Sequence, residues 1–242
     1  MGRLQMAAVG TAATAACCLG ALGPQAARAE EPPEFFTKGA VGAMAPSEIK
    51  ESYTLGVSRL EGQRSKARIE CKSGSGSAVV NGAKSTKEVR INFAECIIAS
   101  GEGCENRGTH DIETNNLVGE LGLITSTKDG LRLRPESGAY LMEFTCGGGA
   151  VTIKVKGALV GEITGAAKAG QTIAEAKFAA SGDLKFAQAG GIQKYTKFLG
   201  ESSGQQLENV VQEGKEEHEE LGGQSASLIV KSVPVSNIGE TT

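Results

Sequence analysis

The chain has 242 residues, a formal net charge of −3, 34 glycines and an aromatic content of 4% without any tryptophan. Nucleic-acid binding needs a basic surface, and this mildly acidic chain contains no basic stripe, so we expect no nucleic-acid partner. Only six prolines accompany the glycines and charged residues are interspersed. The composition therefore predicts a folded domain and excludes a low-complexity, disordered chain.

The first 29 residues are typical of a cleaved export signal. Arg3 precedes a stretch rich in Ala, Gly, Thr and Leu over residues 6–22, and Ala27-Arg28-Ala29 matches the small-x-small pattern of a cleavage site. Cleavage near Ala29 predicts a secreted, extracytoplasmic protein whose mature chain is one domain, residues 30–242. This mature chain contains no run of roughly 18 apolar residues, so we expect no transmembrane segment.

Lipid attachment at Cys17 or Cys18 is the alternative to simple cleavage. The residues before Cys17 are Thr14-Ala15-Ala16, whereas a lipid-attachment motif normally has a branched or bulky apolar residue three positions before the cysteine. We therefore predict a cleaved leader, and lipidation stays open as the second interpretation.

Short segments in which apolar and polar residues alternate follow one another along the mature chain. This period of two is typical of half-buried antiparallel strands. It is clearest over residues 89–93, 131–134 and 151–156. Further strands are predicted over 35–41, 53–60, 67–71, 77–80, 117–124, 140–146, 158–163, 174–180, 184–187, 193–199 and 226–233.

Glycine-containing turn signals separate many of these segments. They occur at Asn81-Gly82, Asp129-Gly130, Gly190-Gly191 and Gly222-Gly223, and Gly74-Ser75-Gly76 is interpreted as a flexible turn. Together the strands and turns predict an all-β domain, an antiparallel sandwich or barrel-like fold with many short strands and Gly-rich turns.

Residues 207–221 do not fit the strand pattern. The segment is rich in glutamate and its apolar face is thin, so we predict a solvated loop or one short helix.

The four cysteines of the mature chain predict two disulfides, because an even number in an exported chain is typical of a disulfide framework. They are Cys71, Cys96, Cys104 and Cys146. The residues between Cys96 and Cys104 can form a tight turn, so we favour Cys96–Cys104 together with Cys71–Cys146; the other two connectivities stay open. The spacing lacks the paired cysteines of a zinc site, so we expect no metal and no cofactor.

A weak internal hairpin repeat surrounds Cys71 and Cys146. Each follows an apolar residue two positions earlier and precedes glycines three and eleven positions later. Duplication of a hairpin and coincidence in a Gly-rich chain both account for this pattern.

Asp111 and Glu113 are the candidates for catalysis. If residues 109–114 form a strand, the two carboxylates share one face, where they can bind Ca²⁺ or act as an acid/base pair in glycoside cleavage. A solvated strand with alternating charges has the same pattern, and this is the interpretation we favour.

Tyr195 is the candidate for ligand binding, because exposed aromatic rings stack against sugars in carbohydrate-binding proteins. It lies within residues 193–198, a predicted strand. Packing in the core or at an edge is the interpretation we favour for its ring.

Four strings resemble a group of uncharacterised exported proteins of high-GC Gram-positive soil bacteria. They are Ile69-Glu70-Cys71, Phe93-Ala94-Glu95-Cys96, Gly191-Ile192-Gln193-Lys194-Tyr195 and Lys231-Ser232-Val233-Pro234. The resemblance covers most of the mature chain and implies a secreted, disulfide-stapled β domain. That group has no assigned activity, cofactor or catalytic residues.

The sequence therefore predicts an exported, non-enzymatic structural or binding protein of the cell surface, with a cell-wall polymer or a surface protein as its partner. The alternative is a secreted carboxylate-dependent hydrolase that acts on wall or environmental polysaccharide through Asp111 and Glu113. A third hypothesis is the binding of another protein through an open sheet edge or the acidic stretch 213–220.

Overall fold

The computed structural model describes residues 34–37, 49–164, 181–198, 204–233 and 236–239. In these ranges the regular elements are strands, and the strand pairs are antiparallel, which confirms the predicted all-β class with many short strands. None of the described segments is a helix that could cross a membrane. The predicted leader 1–29, with Cys17 and Cys18, and the predicted strand 174–180 lie outside the described residues.

The strands are numbered in chain order. They are β1 Glu34–Thr37, β2 Ile49–Leu55, β3 Ser58–Gly62, β4 Arg68–Val80, β5 Ser85–Ile98, β6 Cys104–Glu105, β7 Ile112–Glu113, β8 Leu117–Thr125, β9 Lys128–Pro135, β10 Tyr140–Cys146, β11 Val151–Gly157, β12 Leu159–Thr164, β13 Ser181–Phe186, β14 Gln188–Ala189, β15 Ile192–Gln193, β16 Leu207–Glu213, β17 Glu216–Val233 and β18 Ser236–Gly239.

One set of strands pairs in a closed ring, which we call the first ring. Its order is β17, β2, β4, β5, β8, β9, β12 and β13, and β13 pairs again with β17 through residues 181–186 and 226–231. Closure removes the free sheet edges that would otherwise expose unpaired backbone groups. The interior is apolar, and Val80, Val89 and Leu133 are at most 1% exposed.

The long strands β4, β5 and β17 continue beyond the first ring into a second set, which we call the second ring. Here β17 pairs with β3 on one side and with β16 on the other, and β16 continues the sheet to β11, β10 and β6. On the opposite side β3 leads to β4, β5 and β7. Phe144 and Val155, both 1% exposed, lie in its interior, and one continuous apolar cluster spans both rings.

No ladder joins β7 to β10, and asparagine side chains bridge these strands instead. Asn106 Nδ2 donates to the carbonyl oxygens of Glu113 and Glu143, at 2.8 Å each, while Asn106 Oδ1 accepts the N–H of Glu113 at 2.8 Å. The side chain of Asn115 adds a second bridge, because its Nδ2 donates to the carbonyl oxygen of Tyr140 at 2.8 Å, next to a backbone bond from the N–H of Asn115 to the carbonyl oxygen of Leu141 at 2.7 Å. The side-chain amide of Asn106 thus takes the place of a backbone ladder between β7 and β10, because it forms hydrogen bonds with backbone groups of both strands.

The structure contains two disulfides, as predicted, but the favoured pairing is wrong: the bonds are Cys71–Cys96 and Cys104–Cys146. The predicted turn exists, because Ile97 and Gly103 form a bridge that places Cys96 and Cys104 at the next positions of its two arms. Each of them, however, lies directly opposite another cysteine in a ladder, Cys71 in β4 or Cys146 in β10. The cysteines therefore form a row across four neighbouring strands, and the lateral ladders determine which sulfurs meet.

The disulfide sulfurs are enclosed, since all four cysteines are at most 5% exposed. Stable buried disulfides indicate an oxidising, extracytoplasmic compartment.

The two copies of the weak internal repeat around Cys71 and Cys146 differ in structure. Cys71 and Gly74 lie inside the long strand β4, whereas Cys146 ends β10 and Gly149 follows in a turn with a φ of +97°.

The predicted flexible turn at Gly74-Ser75-Gly76 is wrong, because these residues lie in the middle of β4. A Cβ atom at Gly74 would lie 2.5 Å from the carbonyl oxygen of Asn92, and one at Gly76 would lie 2.5 Å from that of Arg90 and 3.1 Å from Cδ2 of Tyr53. The glycines therefore leave room for the close approach of the β5 backbone and, at Gly76, for the buried ring of Tyr53 in β2. Glycine in a strand often marks such a close approach.

Two other predictions based on glycine are wrong for the same reason. Asp129 and Gly130 lie inside β9, and the preceding turn is at residues 126–127. Gly222 and Gly223 lie inside β17, where a Cβ atom at Gly223 would lie 3.0 Å from the backbone of Gly191. Close approach of two chain segments, and not a change of direction, requires glycine there.

The prediction of a loop or helix over residues 207–221 is also wrong. The segment forms β16 and the start of β17, which pair in a hairpin around residues 214–215. Leu207 and Val211 are 2% and 3% exposed and anchor it in the core, whereas Glu213, Glu216 and Glu217 are exposed.

Candidate functional site

The predicted strand over residues 109–114, on which Asp111 and Glu113 would share a face, is present only in part. Thr109 and His110 have φ values of 62° and 63°, so the chain turns there, and β7 contains only Ile112 and Glu113. A positive φ is unusual for a β-branched residue such as threonine. Hydrogen bonds compensate: the N–H of His110 donates to Glu105 Oε2 at 3.0 Å, and its carbonyl oxygen accepts the N–H of Cys96 at 2.7 Å.

Both carboxylates are engaged within the protein. Glu113 Oε1 accepts Arg90 Nη1 at 3.0 Å and Arg107 Nη2 at 2.5 Å. Asp111 Oδ1 accepts the N–H of Glu95 at 3.3 Å. In these roles the two side chains hold the loop between β5 and β7. In the described part of the chain, no cluster of three or more His, Cys, Asp or Glu side chains could hold a metal ion.

The phenol of Tyr195 is part of a polar cluster on the outside of the first ring. Its hydroxyl group donates to Glu162 Oε2, and Glu162 Oε1 also accepts Lys128 Nζ at 2.5 Å. Burial, followed by this hydrogen bond, raises the pKa of Tyr195 to about 12. The hydrogen bonds from Lys128 and then Tyr195 hold the pKa of Glu162 below its ordinary value. At neutral pH the phenol is therefore protonated and the carboxylate is ionised.

The Tyr195 ring is only 8% exposed and lies in a small apolar cluster with Ile124, Val160 and Phe198. Lys128 Nζ and Lys194 Nζ lie 5.7 and 5.5 Å from its centroid, so cations approach the ring at distances typical of cation–π contacts. The ring thus holds the segment after β15 against the first ring, and little of its surface faces solvent.

The side chain of Gln193 also fixes the segment of residues 192–198, through hydrogen bonds to the backbone. Its side chain is 3% exposed; Nε2 donates to the carbonyl oxygen of Tyr195 at 2.7 Å, and Oε1 accepts the N–H of Val160 at 3.3 Å. Because these bonds satisfy backbone groups on two segments, they fasten residues 192–198 to β12. The role of this cluster is structural.

A buried carboxylate at the start of the second ring has a similar structural role. Glu220 is 7% exposed, and Oε2 accepts the N–H groups of Arg64 and Ser65 at 2.7 Å each, while Oε1 accepts Ser65 Oγ at 2.5 Å. Burial alone would raise the pKa of Glu220, but the hydrogen bonds from Ser65 and Arg64 outweigh it and hold this pKa below the ordinary value. The ionised carboxylate thereby fixes the turn between β3 and β4.

One surface that the sequence analysis missed is a hydroxyl-lined face on β2 and β4. It consists of Ser52, Thr54, Ser73, Ser75 and Ser77, all of them exposed, and we call it the hydroxyl face. The ladder places Ser52 opposite Ser77 and Thr54 opposite Ser75. Alternate residues on one strand lie about 6.7 Å apart and paired strands about 4.8 Å apart, so the hydroxyl groups form a regular, flat array.

The array follows directly from the Ser-Gly-Ser-Gly-Ser pattern of residues 73–77. Strand alternation directs the serines to one face and the glycines to the other, where Tyr53 and Leu55 pack against them. Both of these side chains are at most 5% exposed, so the array rests on a packed core. Recognising the period of two in this pattern could have revealed the face from the sequence.

The comparisons with known proteins give no family for this chain. No protein-family model matches it, and neither the curated proteins nor the solved structures contain a match.

Proposed function

We propose that the protein is an exported, non-enzymatic binding protein that contacts a hydroxyl-rich polymer, such as a cell-wall glycan, through the hydroxyl face. The observation that carries this proposal is the register of Thr54 with Ser75 and of Ser52 with Ser77 on one exposed face. Each hydroxyl group can donate one hydrogen bond and accept two, which matches the mixed donors and acceptors of a sugar chain.

Rigidity supports this proposal. Ordering flexible side chains on binding costs free energy, and serine has little side-chain freedom to lose. The array lies on the long strand β4, which is paired on both sides along residues 74–80. A ligand would therefore meet hydroxyl groups that are already in place.

Two further features support an extracytoplasmic binding role. The predicted leader and the two buried disulfides fit an oxidising compartment outside the cytoplasm. The hydrolase hypothesis has no comparable support, because Glu113 is held by Arg90 and Arg107 and Asp111 is bonded to the backbone of Glu95.

Binding of the oxidised mature protein to insoluble wall polysaccharide, measured by cosedimentation, tests the proposal. We expect saturable binding that weakens about tenfold or more in the triple variant Ser73→Ala/Ser75→Ala/Ser77→Ala, because three hydrogen bonds of modest net strength are lost. The matched control is Thr125→Ala/Ser126→Ala/Thr127→Ala, which removes three exposed hydroxyl groups at the turn between β8 and β9.

Equal affinity of the triple variant and the wild type would show that the hydroxyl face is not the binding surface. The same incubation separates the enzyme hypothesis: we expect no release of reducing sugar. Release that disappears in Asp111→Asn/Glu113→Gln would establish the hydrolase instead.

A further inference from the structure

A small cavity lies inside the second ring, next to the Cys71–Cys96 disulfide. Ser58 and Gln224 form its polar lining, Phe144 and Met142 belong to its apolar lining, and all of its lining residues are buried. The centre of a water molecule can move within ≈ 10 Å³ of this space. That volume is about the minimum that holds one water molecule, and it is too small for a larger ligand.

The two polar side chains that line the cavity lack a protein partner for their oxygen atoms. Ser58 is 1% exposed and Gln224 is 4% exposed, and neither Ser58 Oγ nor Gln224 Oε1 forms a hydrogen bond with a described residue. The ladder explains how they meet: Gln224 in β17 pairs with Leu60 in β3, and Ser58 lies two residues before Leu60 on the same strand face. A buried oxygen without a partner is strongly unfavourable, so a partner is required.

We propose that one structural water molecule occupies this cavity and bridges Ser58 Oγ to Gln224 Oε1. The water donates one hydrogen bond to the side-chain carbonyl oxygen of Gln224. It forms a second hydrogen bond with the hydroxyl group of Ser58, which can be the donor or the acceptor. Two polar partners and a volume of this size lined by buried residues are the conditions under which buried water is retained in proteins.

The water has a definite place in the fold. Ser58 is the first residue of β3 and lies directly opposite Cys71, so the bridge would tie β3 and β17 together beside the disulfide that joins β4 to β5. The apolar residues around the cavity provide no competing hydrogen-bond partner, and the water is confined to this one bridge.

A crystal structure of the oxidised wild-type protein, at a resolution that places ordered solvent, is the first test. We expect one density peak within about 2.7–3.2 Å of both Ser58 Oγ and Gln224 Oε1. An empty cavity, or a direct hydrogen bond between Ser58 and Gln224, would overturn the proposal.

Relaxation dispersion of the water oxygen signal, which counts long-lived internal water molecules, is the second test. The variant Ser58→Ala/Gln224→Met makes the lining apolar, and small apolar cavities stay dry, so the count should fall by one. The matched control is Ser225→Ala, next to Gln224 on the other strand face, which should leave the count unchanged. An equal count in the wild type and the double variant contradicts the proposal; if the double variant does not fold, the crystal structure decides.

Discussion

The two rings are closed in different ways. In the first ring, β13 pairs with both β12 and β17, so backbone ladders complete the circle. In the second ring, β6 and β7 contain two residues each, and Asn106 bridges the gap between β7 and β10. Both disulfides belong to the second ring. Cys104–Cys146 crosses the short ladder between β6 and β10, whereas Cys71–Cys96 crosses the long ladder between β4 and β5.

Both rings contain buried polar groups. In the first ring, the hydroxyl group of buried Tyr53 donates to buried Glu51 Oε2 at 3.1 Å, and Thr86 Oγ1, in a residue that is 2% exposed, forms no hydrogen bond with a described residue. In the second ring, Ser58 and Gln224 lack partners among the described residues for one oxygen each. The rings therefore differ in how they are closed, and not in whether their interiors contain polar groups.

Removal of the disulfides should have the largest effect and should affect the second ring more than the first. From the lengths of the closed loops, the chain-entropy relation gives losses of about 3.5 kcal/mol for Cys71→Ala/Cys96→Ala and about 4 kcal/mol for Cys104→Ala/Cys146→Ala in the free energy of unfolding. Denaturant titration measures the loss. Hydrogen exchange should show that amides in β10 lose protection while amides in β12 keep it. Uniform loss of protection across β10 and β12 would contradict the difference between the rings.

Asn106→Ala should have the second-largest effect, because it removes the side chain that joins β7 to β10. Three hydrogen bonds with backbone groups are lost, and we expect a decrease of about 2 kcal/mol in the free energy of unfolding, measured by denaturant titration. The control is Asn116→Ala, whose half-buried side chain accepts one hydrogen bond from Arg90 and joins no second strand of the ring among the described residues, so the change in stability should be small. Equal losses in the two variants would mean that the bridge does not hold the second ring closed.

The sequence predicts the strands best where alternation is local and regular. Residues 140–146 were predicted as a strand with the bounds that β10 has, and 151–156 differs from β11 by one residue. Several turn predictions in glycine-rich segments were wrong, because a glycine in a turn and a glycine that lies against the backbone of a neighbouring strand have the same local sequence context. The residue that makes Gly76 necessary lies on another strand.

The cysteine pairing and the predicted strand over residues 109–114 were wrong for a related reason. Local spacing correctly placed Cys96 near Cys104, but the ladders with β4 and β10 bring a closer partner to each. The strand begins later than predicted, because the chain turns with positive φ at Thr109 and His110, and no local propensity predicts that conformation. Contacts between distant segments determine both outcomes.

Tyr195→Phe should have a smaller effect and should affect the first ring. The variant loses one hydrogen bond to Glu162, and we expect a decrease of about 1 kcal/mol in the free energy of unfolding at neutral pH, measured by denaturant titration. Because the folded pKa of Tyr195 is raised from 10.0 to about 12, this contribution is present below pH 10.0 and is lost as the pH rises through about 12. Ultraviolet titration should show a tyrosine with that pKa in the wild type. The signal should persist in the control Tyr140→Phe and disappear in Tyr195→Phe; its persistence in Tyr195→Phe would assign that pKa to another group.

Glu220 should produce the last effect in this order, in the second ring, where its contribution to stability is present at neutral pH and is lost in acid. Its folded pKa is below the ordinary value, because the hydrogen bonds from Ser65 and Arg64 outweigh the effect of burial. The stabilisation is therefore complete above the unfolded pKa of about 4.3 and is lost as the pH falls through the lower folded pKa. Glu220→Gln should flatten this part of the stability–pH curve, measured by denaturant titration between neutral and acidic pH.

The matched control for that measurement is Glu216→Gln, because Glu216 is exposed at the tip of the same hairpin. Hydrogen exchange locates the change: the amides of Arg64 and Ser65, which donate to Glu220, should lose protection in acid before the amides of the first ring do. Simultaneous loss in both rings would mean that the second ring does not open separately. In that case the two rings would differ in how each one is closed but would unfold together.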